Sequence, residues 1–281
     1  MMSMADGCTI GALNVDERRF LFKNRDLVYS DFKDTAQFDD EAFLVTGVDI
    51  AAGKPTGASI GINNYGVMIA SSTVLISKDP PYDDLLESLL REAKSLNEAI
   101  SIVQDDLDSG SEYQWCNFVI SDFEKVGVIE IGHGEMASES HVRMAVRTNH
   151  HLKLPTSKLI ESAQPEMREA AGSLTASQYR LQVAYQMLEG AEVLKDITKM
   201  LSSHSEGRGF DSICRHYDSS ENKYRGMTSY SYILESVESV DTTKYAIHVA
   251  RGNPCKSAYK TIEIDFAGTP AEKENLVSVF P

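Results

Sequence analysis

The order of its predicted elements favours an α+β fold for this chain, with helices packed on sheets. Strand-like stretches open the chain, return in its middle and close it, and a pair of helices lies in each of the two intervals. No internal repeat and no linker rich in proline, glycine and serine divides the 281 residues. We therefore expect one domain, although the length alone would permit two.

The first part of the chain predicts strands. CTIGALNVDERRFLFKNRD indicates two strands around a turn at Asn14–Glu17. EAFLVTGVDIAA predicts the next strand, followed by a loop at residues 53–57. SIGINNYGVMIASSTVLI then predicts two more strands, separated at Asn63–Asn64.

Two helix pairs follow from apolar spacing. PPYDDLLESLLREAK begins with prolines and then shows the i, i+3, i+4 pattern of a helix at Leu85, Leu86, Leu89 and Leu90. A second helix is predicted from Ser95. Residues 155–205 predict the other helical region, with ASQYRLQVAYQMLEG and EVLKDITKMLSSH as its two clear segments.

The remaining strands are predicted from short apolar runs: YQWCNFVISD, GVIEIG, HVRMAVRTNHH, SICRHYD, MTSYSYILES, YAIHVARG and YKTIEIDF. Cys116 and Cys214 lie in two of these runs and are interpreted as buried strand thiols. Cys255 is expected in a turn. Four widely spaced cysteines do not indicate a disulfide scaffold.

Charge and composition exclude several classes of function. The net charge of −15 repels phosphate backbones, so we expect no nucleic-acid partner. No run approaches the ~20 apolar residues of a membrane span. The start, MMSMADG, has no basic residue and no apolar segment typical of a secretory signal, so a cytoplasmic location is the expectation.

Cys8 stands apart because it follows Gly7 so near the start of the chain. A thiol needs a base to become a nucleophile. An N-terminal cysteine has such a base in its own α-amine, whose pKa is ~8. That amine exists at Cys8 only if the Gly7–Cys8 bond is cut, and glycine leaves such a junction open to attack.

Four motifs in order resemble the N-terminal nucleophile hydrolases, in the branch of acyl-coenzyme A:6-aminopenicillanic acid acyltransferase, penicillin V acylase and choloylglycine (bile salt) hydrolase. They are the Cys-Thr start with Asn24-Arg25-Asp26 eighteen residues after the cysteine, NNYGVMIASSTV, RTNHHL and SICRHYDSS. Together they extend over nearly the whole chain. The last resembles the Ile-Cys-Arg-His motif of the acyltransferase side.

The resemblance implies a four-layer αββα sandwich, with residues 1–7 as a short pro-segment and 8–281 as one domain. It makes Cys8 the nucleophile and Asp26 the group that fixes the protonation of its amine or thiol. Asn149 would donate to the oxyanion, a term of ~2.7–4 kcal/mol per donor. Arg215 would support the Cys8–Asp26 pair or contact the scissile amide.

The chain departs from the choloylglycine pattern at three places. Lys23 stands where those members carry an arginine, and Ser71-Ser72-Thr73 replaces a second oxyanion asparagine. TSYSYIL lacks another arginine. We therefore favour the acyltransferase side over a bile-salt substrate, with Ser72, Thr73, Lys23 and Arg25 as candidate contacts to the substrate or the oxyanion.

Structural alternatives exist for each site residue. Asp26 could cap a turn, Asn149 could end a strand, and Arg215 could pair with Asp211 or Asp218. Tyr65, Tyr82, Trp115 and Phe123 are candidates for lining an acyl pocket.

No metal site is expected at the histidines. His150 and His151 are adjacent on a predicted strand and therefore point to opposite faces. His133-Gly134-Glu135 with Pro254-Cys255 resembles half of a zinc deaminase signature, but the second cysteine is missing. A papain-like pairing of Cys8 with a histidine is a further alternative.

The sequence thus predicts a cysteine amidase or acyltransferase that acts on a small linear amide, or on an acyl-thioester such as an acyl-coenzyme A, without a metal or organic cofactor. Autocleavage between Gly7 and Cys8 would activate it. The sequence is compatible with a homo-oligomer and does not decide the oligomeric state. The alternatives are a binding protein of the same fold, a protein that processes only itself, and a papain-like hydrolase.

Overall fold

The computed structural model describes residues 8–27, 32–155, 174–216 and 226–281. The predicted pro-segment 1–7, with Gly7 and the bond to be cut, lies outside the described residues. So do Asp218 and the first part of the predicted helical region, residues 156–173.

Two antiparallel sheets form the centre of an α+β structure. The first sheet has six strands in the order β10-β1-β2-β11-β12-β13. Their bounds are Met144–Arg147 (β10), Cys8–Val15 (β1), Arg18–Leu27 (β2), Met227–Glu238 (β11), Thr243–Arg251 (β12) and Lys260–Ile264 (β13). Strand β2 lies inside this sheet, so both of its edges are paired, with β1 and with β11.

The second sheet has seven strands in sequence order, β3 to β9. Their bounds are Ala36–Phe38 (β3), Ala42–Asp49 (β4), Lys54–Asn63 (β5), Met68–Leu75 (β6), Trp115–Ser121 (β7), Val126–Gly132 (β8) and Glu135–His141 (β9). Each strand pairs with the next along the chain, although a long connection, residues 76–114, separates β6 from β7.

Five helices occur in the described part of the chain. They are Asp83–Glu92 (α1), Leu96–Asp108 (α2), Leu174–Leu188 (α3), Leu194–Leu201 (α4) and Pro270–Ser278 (α5). The Ser95 side chain accepts from the backbone N–H of Glu98 and so caps α2. No helix in the described ranges combines the length and apolar character needed to cross a bilayer.

Three large apolar clusters, beside a smaller one around Leu27, join these elements in the described part of the chain. One joins buried side chains from both sheets, among them Leu21 and Phe43. A second joins the second sheet to α1 and α2, through residues such as Leu86. A third joins the first sheet to α3 and α4, with Phe20 and Phe22 of β2. Because side chains alternate along β2, residues 20 and 22 face the helices while residue 21 faces the other sheet.

Several sequence predictions are confirmed and some are wrong. Cys116 is a buried thiol on β7, and Cys255 lies in a turn, as predicted. Cys214 is buried, but residues 212–216 form no strand; the N–H of Cys214 donates to the carbonyl of Ser203 in a local loop. Part of the predicted loop at 53–57 is the start of β5. The prediction missed β3, β9 and α5.

Removal of a buried leucine from the face of α1 tests the second cluster. Leu86 is fully buried against the sheet. Leu86→Ala is expected to lower the free energy of unfolding by about 2–5 kcal/mol through lost burial and a residual cavity. Urea denaturation measures this, with Leu152→Ala as the control because Leu152 is 48% exposed. Equal stability of the two variants would contradict the packing.

Candidate active site

Cys8 begins β1, where it pairs with Arg25 of β2. It is 5% exposed. Its backbone nitrogen donates to Oδ1 of Asn149 at 3.1 Å. The structure therefore places Asn149 at the nitrogen that would become the α-amine of a processed chain.

Hydrogen bonds fix both the side-chain amide and the backbone of Asn149. Its Nδ2 donates to the carbonyl of Thr73 at 2.7 Å, and its backbone N–H donates to Oγ of Ser177 at 2.8 Å. Arg180 donates a short hydrogen bond to the same Oδ1 that accepts from Cys8. The orientation of the Asn149 side chain is thus fixed by three elements: β6, α3 and the start of β1.

Ser72 and Thr73 lie in β6 next to this asparagine. The Ser72 hydroxyl donates to the carbonyl of Thr148 at 2.6 Å, and the Asn117 amide donates to the same carbonyl at 3.0 Å. The Thr73 hydroxyl shares a hydrogen bond of 2.6 Å with the Tyr82 hydroxyl. Both serine and threonine hydroxyls are therefore engaged in holding neighbouring backbone and side chains.

Lys23 projects between the two sheets. Its ammonium donates to the Ser59 hydroxyl at 2.6 Å and to the Ser71 carbonyl at 2.8 Å. Burial lowers the pKa of Lys23, and a negative charge on Cys8 would raise it again. A thiolate at Cys8 would thus have a buried cation near it, which favours the ionised thiol.

Arg25 lies on the same face of β2 but forms a different contact. Its guanidinium pairs with the buried carboxylate of Asp34 at 2.6 Å and donates to the Thr46 carbonyl at 2.8 Å. The Tyr232 hydroxyl donates a short hydrogen bond to the same carboxylate. Arg25 therefore belongs to a buried ion pair that ties the two sheets together.

Asp26 faces the opposite side of β2, toward the helices. Its Oδ1 accepts from the Thr228 hydroxyl at 2.6 Å, and its Oδ2 lies 3.5 Å from the guanidinium of Arg215. Burial raises the pKa of Asp26 to about 6, although Arg215 and Thr228 act to lower it. Arg215 thus pairs with Asp26 and not with Asp211, whose carboxylate accepts from Ser205.

Arg180 interacts both with Asn149 and with the Asp26–Arg215 ion pair. The residue was not identified from the sequence. Its guanidinium bonds Asn149 and also donates to the carbonyl of Phe210 at 2.6 Å. Burial and the charge of Arg215 lower the pKa of Arg180 to about 9, while charges on Asp26 and Cys8 would raise it. A signal was available: the arginine falls on the buried stripe of α3, with Ser177, Leu181, Ala184 and Leu188.

The four aromatic candidates for an acyl pocket do not come together. Tyr65 and Phe123 lie at one end of the paired strands β6 and β7, whereas Tyr82 and Trp115 lie at the other. Tyr65 is 45% and Phe123 41% exposed. The four side chains therefore do not line one cavity.

The strand predicted to carry His150 and His151 ends at Arg147, so both histidines lie in the segment after β10 and the predicted strand alternation does not apply to them. Nδ1 of His150 lies 2.8 Å from the Ser177 hydroxyl. Nε2 of His151 lies 3.1 Å from the Cys116 carbonyl. His150 thus shares Ser177 with the backbone N–H of Asn149, whereas His151 contacts β7.

Comparison with known proteins gives one kind of match. No protein-family model matches the sequence, and no curated protein matches it. Among solved structures, the chain is similar to a variant of conjugated bile acid hydrolase from Clostridium perfringens. The TM-score is 0.49 at 14% identity, over 93% of this chain and 98% of the other.

Titration of Asp26 is expected to appear in the stability of the protein. A pKa raised from 3.8 to about 6 means that the folded chain binds more protons than the unfolded chain between these values. The free energy of unfolding of the wild type, relative to Asp26→Asn, should fall by up to about 3 kcal/mol as pH rises from about 4 to about 6, then level off. Urea denaturation over this range measures the difference.

If the stability of the wild type relative to Asp26→Asn rises over the same pH range instead, then the Arg215 ion pair outweighs burial in its effect on the pKa of Asp26. Asn97→Ala is the control, because Asn97 is exposed and the variant keeps Asp26. Its stability relative to Asp26→Asn should fall with pH as that of the wild type does.

Proposed function

We propose that this chain is an N-terminal cysteine amidase or acyltransferase, acting on a small linear amide or acyl-thioester through an acyl-thioester intermediate on Cys8. One observation carries the proposal: Oδ1 of Asn149 accepts from the backbone nitrogen of Cys8 at 3.1 Å. The same oxygen accepts from Arg180. This is the arrangement that a free α-amine at residue 8 needs to be held beside its own thiol.

The base in this proposal is the α-amine released by cleavage between Gly7 and Cys8. With an ordinary pKa of ~8, part of it is neutral near physiological pH. Two cationic side chains, Arg180 and Lys23, respond to the charge of Cys8. Both disfavour protonation of the nearby amine and favour the thiolate, which supports nucleophilic attack.

Asn149 Nδ2 is the donor that we assign to the oxyanion. Its amide plane is fixed by the Thr73 carbonyl and by Arg180, so it is preorganised before substrate binds. The Ser72 hydroxyl donates to the carbonyl of Thr148, the residue before Asn149. We therefore assign Ser72 and Thr73 to positioning Asn149.

Asp26 and Arg215 support the site from the other face of β2. Their ion pair lies beside Arg180, which contacts Asn149. Deprotonation of Asp26 supplies the negative charge that opposes the like charges of the two arginines. Lys23 is assigned to the thiolate and Arg25 to the scaffold, because its guanidinium is paired with Asp34.

The architecture proposed to hold this site is the four-layer αββα sandwich, formed as one domain by residues 8–281. The three apolar clusters support it, since one lies between the sheets and the others join each sheet to its own helices. The imidazole of His150 is bonded to Ser177, which favours the amine over a papain-like histidine as the base.

Intact mass and turnover test the nucleophile. The wild type is expected to lose residues 1–7 and to release product from a panel of chromogenic acyl amides. Cys8→Ala should keep its full length and show turnover reduced at least ~10³-fold, because the nucleophile and its adjacent amine are both lost. Cys116→Ala is the matched control, a buried thiol elsewhere. A full-length wild type that turns over substrate would exclude the amine as base.

Kinetics of Asn149→Ala test the oxyanion assignment. We expect kcat to fall by ~10²–10³-fold with a small change in KM, since the donor acts mainly in the transition state. Asn97→Ala, an exposed asparagine on α2, is the control. A change confined to KM would assign Asn149 to substrate binding instead, and a binding protein of this fold would show no turnover in any variant.

A further inference from the structure

Four potential metal ligands converge outside the residues assigned to the reaction. His204, Cys214, His216 and Cys255 each offer one donor atom, and these four atoms all lie within 4.8 Å of one another. Within residues 8–27, 32–155, 174–216 and 226–281, no other group of three or more such residues gathers in this way. The cluster is named here the His2Cys2 cluster.

The distances within the cluster fit a tetrahedral metal site. Nε2 of His204 lies 2.9 Å from Nε2 of His216. Nε2 of His216 lies 3.2 Å from Sγ of Cys255 and 3.8 Å from Sγ of Cys214. With Zn–S bonds of ~2.3 Å and Zn–N bonds of ~2.0–2.1 Å, tetrahedral donors are about 3.3–3.8 Å apart. Changes of up to about one ångström in the donor separations would therefore seat a zinc ion.

The surroundings of the His2Cys2 cluster also suit a metal. The Asn253 amide donates toward Sγ of Cys214 at 3.7 Å, a contact that stabilises a thiolate ligand. The N–H of Cys214 donates to the Ser203 carbonyl, and that of His216 to the Arg208 carbonyl. The ligands are thus fixed by three separate stretches: the end of α4, residues 214–216 and the turn after β12.

From this geometry we propose that the His2Cys2 cluster is a structural zinc site. Two imidazole nitrogens and two thiolates complete the tetrahedron, so no position is left for a water or substrate. Binding forms two Zn–S and two Zn–N bonds and releases the two thiol protons to solvent. No electron transfer is involved.

A zinc ion here would clamp the segment that carries Arg215. Cys214 and His216 flank Arg215 in sequence, and Asn253 donates to the Arg215 carbonyl at 2.6 Å. The site would therefore fix the backbone from which the guanidinium reaches Asp26. This explains the Cys-Arg-His order of the motif, whose cysteine and histidine the proposed reaction does not use.

The test uses the full chain, reduced and freed of metal, and titrated with Zn²⁺ alone or Co²⁺ alone. We expect one ion per chain. Co²⁺ should give intense visible absorption of tetrahedral geometry and a thiolate charge-transfer band in the near ultraviolet. Cys255→Ser should weaken Zn²⁺ binding more than ~10-fold, and because Cys255 is exposed this variant should fold.

Cys116→Ala and His141→Gln are matched controls, since neither residue belongs to the cluster. Both should bind Zn²⁺ like the wild type and keep the Co²⁺ spectrum. The proposal is overturned if the reduced wild type binds no Zn²⁺, if Cys255→Ser binds it equally well, or if Cys214 and Cys255 form a disulfide and the reduced thiols take up no metal. These readouts do not depend on turnover.

Discussion

Strand β2 buries four consecutive polar side chains, Lys23, Asn24, Arg25 and Asp26, in the middle of a paired sheet. Each would cost several kcal/mol if it were left without a partner. Alternation sends Lys23 and Arg25 between the sheets and Asn24 and Asp26 toward the helices. The elements on both sides must therefore supply partners, and this requirement fixes how sheets and helices meet.

The partners come from distant parts of the chain. Asn24 donates to the carbonyls of Leu201 and Ile213, each at 2.8 Å, and so holds the end of α4 and the loop before Arg215. Asp26 then finds Arg215 on that loop. Buried pairs of this kind add little to stability compared with well-packed apolar residues. Stability alone therefore does not explain why β2, the strand paired with β1 and Cys8, carries these four polar residues.

The sequence predicted the local parts of this arrangement well. The β1–β2 turn, most of the strands and helices α1 and α2 follow from patterns within short windows. Helix α5 was missed because it buries little, although Thr269 and Glu272 form a capping box at its start. The roles of Asp26 and Arg215 rested on resemblance, since no spacing rule joins residues so far apart in sequence.

The His2Cys2 cluster is likewise formed by residues too far apart in sequence for a spacing rule to join them. Its ligands are separated by up to fifty-one residues in sequence, and Asn24 and Asn253 both donate to carbonyls of the loop that carries two of them. Their two clamps act on the same backbone, one from β2 and one from the turn after β12. The Arg215 guanidinium thus faces the buried carboxylate of Asp26 from a loop that is fixed at both sides. The hydrogen bond that satisfies the buried Asn24 amide thus also places the loop from which Arg215 reaches Asp26.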